Sequence, residues 1–141
     1  MHDLWHTMDM KRAIAIGTLM SMSVLFLFHI VATVFYFYNS IMYFDKWMHT
    51  LGGIVAAFFV AMVLFEHMKE LRYRRVVIII LLSVFIIGLA WEYYEYLIQF
   101  LIKGSRLADI PDSITDMMCD MLGGVIGTCF VLIIKKRYNT R

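Results

Sequence analysis

"AIAIGTLMSMSVLFLFHIVATVFYFY", residues 13–38, contains no Asp, Glu, Lys or Arg. At 1.5 Å of rise per residue it outruns the roughly 20 residues that cross a hydrocarbon core of about 30 Å. It is too long for the apolar region of a cleaved signal, and it ends in "FYFYNS" rather than a small-residue cleavage site. It therefore reads as a retained span. Residues 47–65, 76–102 and 113–134 are three further apolar stretches of similar length, the last two interrupted by acids.

Composition agrees. Hydrophobic residues make up 62% of the 141 and charged residues 17%, against roughly 45–50% and about 25% in ordinary globular chains. Lys11, Arg12, Lys69, Arg72, Arg74, Arg75, Lys135, Lys136, Arg137 and Arg141 fall on one side of a four-span arrangement, and Lys46, Lys103 and Arg106 on the other. Ten against three predicts both termini in the cytoplasm of an inner-membrane protein. The net charge of +2 then expresses topology and gives no support for nucleic-acid binding. Tyr36, Tyr38, Tyr43 and Trp47 fit an aromatic belt at the outer interface.

With no Pro/Gly/Ser-rich linker and only short connections, the chain reads as one all-α domain, an up-down four-helix transmembrane bundle. A homo-oligomer stays open. Cys119 and Cys129 lie about 15 Å apart along one predicted helix, too far to bridge within the chain.

Inside this greasy frame one phrase occurs twice. "DKWMHTLGG", residues 45–53, returns as "DMMCDMLGG", residues 116–124. Both copies open spans that run inward, as a parallel two-plus-two repeat would place them. Their glycines, extended in "LGGIVAA" and "LGGVIG", give helices the small surfaces that allow close backbone approach in lipid.

The polar half of the phrase needs a different explanation. Asp45 and His49 share one face of the second span; Glu92 and Glu95 share a face of the third, continued by Gln99; Asp112, Asp116 and Asp120 recur every four residues on the fourth. Helical rise puts Glu92 about 24 Å from the cytoplasmic start of its span and Asp120 about 10 Å below the outer start of its own. All seven groups meet in the outer half of the membrane. An Asp at a helix centre costs about 2.5–3.5 kcal/mol to insert, so several such groups rival the roughly 5–15 kcal/mol that stabilises a domain. They must face inward and be compensated by a bound cation, by protonation, or by pairing with Lys46, Lys103 or Arg106.

Bland readings stand beside this one. Asp45 and Asp112 could cap helices, Ser113 with Asp116 imitates a capping box, and His49 could be a hydrogen-bonded core histidine. Capping does not reach Glu92, Glu95 or Asp120, which lie inside their helices. Carboxylates with one imidazole favour a divalent cation, Mg²⁺, Mn²⁺, Zn²⁺ or Ca²⁺, with Mn²⁺ and Mg²⁺ best matched to so many oxygens. The 12 methionines form no soft site aligned with His49. No Ser-nucleophile elbow, His-Glu-x-x-His motif or P-loop is present.

In sequence order, Asp45-Lys46-x-x-His49, then Glu92 and Glu95, then Arg106, then Asp116, Gly123 and Gly127 resemble the pattern of VanZ-like membrane proteins, and the whole is similar to bacterial inner-membrane proteins of the YjdF type. Asp120 stands where the VanZ-like pattern has Asn, adding a negative charge in place of an amide. The resemblance implies a multi-span protein of the bacterial cell envelope, whose name-giving relative is associated with low-level teicoplanin resistance. Together these readings predict Asp45, His49, Glu92, Asp116 and Asp120 as ligands of a divalent cation, and Glu95 and Asp116 as catalytic groups. Lys46, Lys103 and Arg106 are then expected to contact an envelope lipid phosphate or glycan precursor. The alternatives are a small proton or cation transporter, opposed by the absence of a polar relay in "VAAFFVAMVLF", "VVIIILLSVFII" and "TCFVLII", and an assembly protein with a structural polar network.

Overall fold

A run such as Val76-Val77-Ile78-Ile79-Ile80 is β-branched and would favour a strand in water. In lipid each backbone N–H and C=O must be satisfied within its own segment, and the same run forms a helix. The computed structural model describes residues 2–68, 70–103 and 110–139. It contains α1 (His2–Val34), α2 (Phe37–Ser40), α3 (Phe44–Val63), α4 (Phe65–Met68), α5 (Tyr73–Lys103) and α6 (Ile110–Asn139), and no strand among the described residues. Four segments are long and apolar enough to cross a membrane: Asp9–Val34, Phe44–Val63, Tyr73–Ile98 and Asp112–Tyr138. The protein is a four-helix membrane bundle.

The first span, expected to reach Tyr38, stops at Val34. Tyr36 and Tyr43 both adopt left-handed backbone, at φ 57° and 63°, and between them α2 folds the chain back as a single turn. Asp45 therefore lies in the first turn of α3, whose N-cap is Tyr43, and Asp112 lies in the first turn of α6. Neither acid is an N-cap. Both still stand where the helix dipole favours negative charge.

Helices α3 and α6 run side by side in the same direction and form the most extensive pair in the bundle, with α1 and α5 packed on opposite flanks. The doubled glycines make that pairing. A Cβ on Gly53 would fall on the carbonyl oxygen of Asp120, and one on Gly123 on the carbonyl oxygen of Thr50. Gly127 faces Ala57 and the Ile54 carbonyl one turn on.

Below this crossing, toward the end that carries the chain termini, the bundle is apolar, around a small cavity between Met10, Phe65, Met68, Val76 and Lys135. Ile14, Ala57, Ala61, Val76, Ile80, Val84 and Val131 are buried there, and the Thr18 hydroxyl donates to the carbonyls of Ile14 and Phe58. Toward the distal end, which carries the α1–α3 and α5–α6 connections, packing loosens. Between Thr18 and Ala32, α1 buries no side chain.

Candidate functional site

The acids and the histidine occupy the distal half. His49 on α3 is 5% exposed, and Asp116 and Asp120 on α6 are 3% and 7% exposed. His49 Nδ1 lies 3.3 Å from Asp120 Oδ1; its Nε2 lies 3.7 Å from Asp116 Oδ1 and 3.9 Å from Asp45 Oδ2. In the tautomer whose Nδ1–H donates to Asp120, the Nε2 lone pair points between Asp45 and Asp116. That is the arrangement in which a carboxylate orients a metal-ligating imidazole.

Two groups of three converge on this ring: Asp45, His49 and Asp116, and His49, Glu92 and Glu95. Within each group the ligand atoms lie within 4.8 Å of one another, a span that a cation at about 2.0–2.6 Å from each can bridge. His49 belongs to both groups. Glu92 and Glu95 reach it from α5 because three-residue spacing puts them on one helix face. The indole Nε1 of Trp91 donates to Glu95 Oε1 at 3.0 Å.

Among the described residues the Lys46 ammonium answers these carboxylates. Lys46 Nζ lies 2.5 Å from Asp112 Oδ1 and 2.5 Å from Asp116 Oδ1, joining the first turns of α3 and α6. Internal pairing, one of the expected forms of compensation, is thus present at Lys46. It is incomplete across the cluster. Glu92 Oε1 and Asp120 Oδ2 are buried and have no hydrogen-bond partner among the described residues. Asp120 Oδ2 faces Gly88 of α5, where an added Cβ would come within 2.9 Å of it. The missing side chain makes room for the carboxylate.

Arg106 lies outside the described residues, as do the side chains of Lys103 and Gln99. Of the expected phosphate-binding groups only Lys46 can be followed, and it is turned to the acids. The two capping alternatives on α6 lose their basis: Ser113 is inside the helix beside Glu92, and Asp116 is in the buried cluster.

A family model described as "Predicted membrane protein (DUF2238)" matches residues 5–137, taking in all four spans and every residue of the cluster. The chain belongs to the DUF2238 family. No curated protein and no solved structure matches it.

Three features of this DUF2238 site escaped sequence reasoning. Gly88 and Trp91 lie in "GLAWEYYEYLIQ", residues 88–99, but nothing in spacing says which residue a glycine faces. Tyr38, read as part of an aromatic belt, is brought back over the cluster by the α2 turn. Its ring stands edge-on to Phe44 at 5.2 Å between centroids, and its hydroxyl is 2.9 Å from His29 Nδ1. Burial, and then the carboxylates of Asp45 and Glu95, push the Tyr38 hydroxyl above its ordinary pKa. Long-range folding of a loop leaves no periodic signal to read.

Proposed function

We propose that this protein holds a divalent cation at His49 and uses it to recognise or act on a phosphate-bearing lipid or glycan precursor of the bacterial cell envelope. The observation that carries the reading is the convergence of two three-ligand groups on one buried imidazole, beside carboxylate oxygens that have no hydrogen-bond partner among the described residues. A closed structural network would satisfy those oxygens, because a buried unpaired acceptor costs about 1–3 kcal/mol, more when charged. The many oxygens and single nitrogen favour Mn²⁺ or Mg²⁺ over Zn²⁺.

In this scheme Asp45, His49, Glu92 and Asp116 are ligands, and Asp120 ligates or orients the imidazole. Glu95, tethered by Trp91, is the base, and Asp116 is the second catalytic carboxylate. Lys46, Lys103 and Arg106 attract the phosphate. The bound cation would polarise a phosphoryl oxygen as a Lewis acid. The VanZ-like pattern supports an envelope role, and the ten-to-three distribution of Lys and Arg supports an inner-membrane protein with cytoplasmic termini and a site facing outward. Proton or cation transport would need a polar route past Ile80, Val84, Ala57 and Ala61, all buried and apolar.

Elemental mass spectrometry on detergent-purified protein, after supplementation with Mn²⁺, Mg²⁺, Zn²⁺ and Ca²⁺, tests the first step. A near-stoichiometric divalent ion is expected in the wild type and lost in His49→Ala and Asp116→Ala. Folded wild-type protein that retains none of the four would sink the reading. Turnover of a labelled lipid-phosphate pool, abolished by Glu95→Gln, is the expected outcome for the catalytic part.

A further inference from the structure

Asp116 Oδ1 is asked to do two things. It accepts the Lys46 ammonium at 2.5 Å, and it is the same oxygen that faces His49 Nε2 at 3.7 Å within the Asp45–His49–Asp116 group. An ammonium and a divalent cation on one buried oxygen repel strongly in a medium of low effective dielectric. Lys46 has somewhere else to go. Its second partner, Asp112, has a side chain 58% exposed and belongs to neither ligand group. The flexible four-carbon stem of lysine can move its charge outward without disturbing the backbone.

We propose that Lys46 is a tethered counter-ion: a divalent cation displaces it from Asp116 toward Asp112, and the displaced ammonium captures a phosphate group. Cation and phosphate then bind cooperatively, each raising the affinity for the other by the same factor. The inference rests on the cation reading above and adds to it a regulation of the phosphate-binding Lys46. Without the cation, Lys46 is held by two carboxylates and the phosphate site is closed. With the cation, one of those carboxylates is withdrawn and the positive charge stands at the exposed mouth.

The test is Mn²⁺ affinity, read from the paramagnetic resonance signal of unbound Mn²⁺, on the full chain in nanodiscs. Removing the competing charge in Lys46→Gln should tighten Mn²⁺ about tenfold or more, whereas Lys46→Arg should stay within about threefold of wild type. A simple ligand or a structural residue would move affinity the other way. Phosphate should tighten Mn²⁺ on the wild type by about fivefold or more, and should not do so on Lys46→Gln. An effect of inorganic phosphate in phosphatidylcholine discs identifies a soluble anion; an effect confined to discs containing phosphatidic acid identifies a lipid head group.

Unchanged or weaker affinity in Lys46→Gln would overturn the proposal, placing the cation at Glu92 and Glu95 instead. Coupling to phosphate that survives the substitution would overturn it too. Binding by Lys46→Gln but not by wild type would support the counter-ion and sink the wild-type cation site; binding by neither sinks both. Should Lys46→Gln fail to fold, Asp112→Asn decides the matter: it removes the outward partner at an exposed position, and Mn²⁺ should weaken about threefold or more, with no change counting against the displacement.

Discussion

The two halves of the bundle treat buried charge in opposite ways. In the half nearest the termini, the Lys135 side chain is 5% exposed and donates to the Met68 carbonyl at 2.7 Å, with the Tyr73 ring 5.9 Å away. A neutral acceptor and an aromatic face answer it, beside a small cavity with mostly apolar walls. In the distal half six carboxylates, from Asp45, Glu92, Glu95, Asp112, Asp116 and Asp120, face Lys46 and His49. The first arrangement meets its charge with contacts inside the protein. The second leaves buried carboxylate oxygens without a hydrogen-bond partner among the described residues, and on that difference the proposed cation site rests.

The glycine crossing lies between the halves, so breaking it should damage both. Gly123→Val drives a side chain into the Thr50 carbonyl, where neither helix backbone can yield without parting α3 from α6. The expected loss exceeds about 4 kcal/mol, enough to abolish the folded fraction, as seen in thermal unfolding and size-exclusion profiles in detergent. A variant that unfolds as wild type does would mean the two helices do not cross there.

Asp120→Asn should split the halves. The amide keeps an acceptor for His49 Nδ1–H while removing a negative charge, so the apolar core should persist and the proposed cation should be lost. An outer-shell change of this kind costs about 10–100-fold in metal affinity. Calorimetric titration of Mn²⁺ beside a melting curve is the measurement; equal affinity with a lowered melting temperature would make Asp120 structural. Because ligands must be deprotonated to bind, retention of the ion should fall as the buffer is acidified in the wild type.

How much of this was open to reading follows from what each residue's role depends on. The spans rest on local composition, and the meeting of Asp45, His49, Glu92, Asp116 and Asp120 follows from helical period plus depth, both properties of spacing. The close pairing of α3 with α6 was signalled by paired glycines, though which glycine would meet which carbonyl was not. Lys46 could be named as a counter-ion or as a phosphate ligand, and only the register of two helices distinguishes its partners. Gly88 and Tyr38 depend on helix rotation and on a loop held by two left-handed tyrosines. Neither leaves a pattern along the chain.

Lys135→Met is the complementary break in the apolar half. The methionine keeps the apolar volume and leaves the Met68 carbonyl without this donor, so stability should drop by about 1–2 kcal/mol. Mn²⁺ affinity should not change. A drop in affinity comparable to that of Asp120→Asn would show that the two halves are coupled through α6, and the contrast drawn between them would fail.

The smallest effect is expected at Tyr38, which touches the distal half from its rim. Tyr38→Phe keeps the ring against Phe44 and removes only the hydroxyl that meets His29. Near neutral pH the cost should be about 1 kcal/mol or less. Alkaline pH offers a sharper readout, because the folded protein holds the Tyr38 proton more tightly than the ordinary value of 10.0. The unfolded chain then releases that proton first as pH rises. Stability from this group is fully present below about pH 10 and is lost as pH climbs through the raised folded value. Comparing unfolding of wild type and Tyr38→Phe at about pH 9 and about pH 11 should show the wild type losing more stability, with the other tyrosines cancelling. Equal losses would mean that Tyr38 does not feel the acids of the site, and that the α2 turn merely closes the loop.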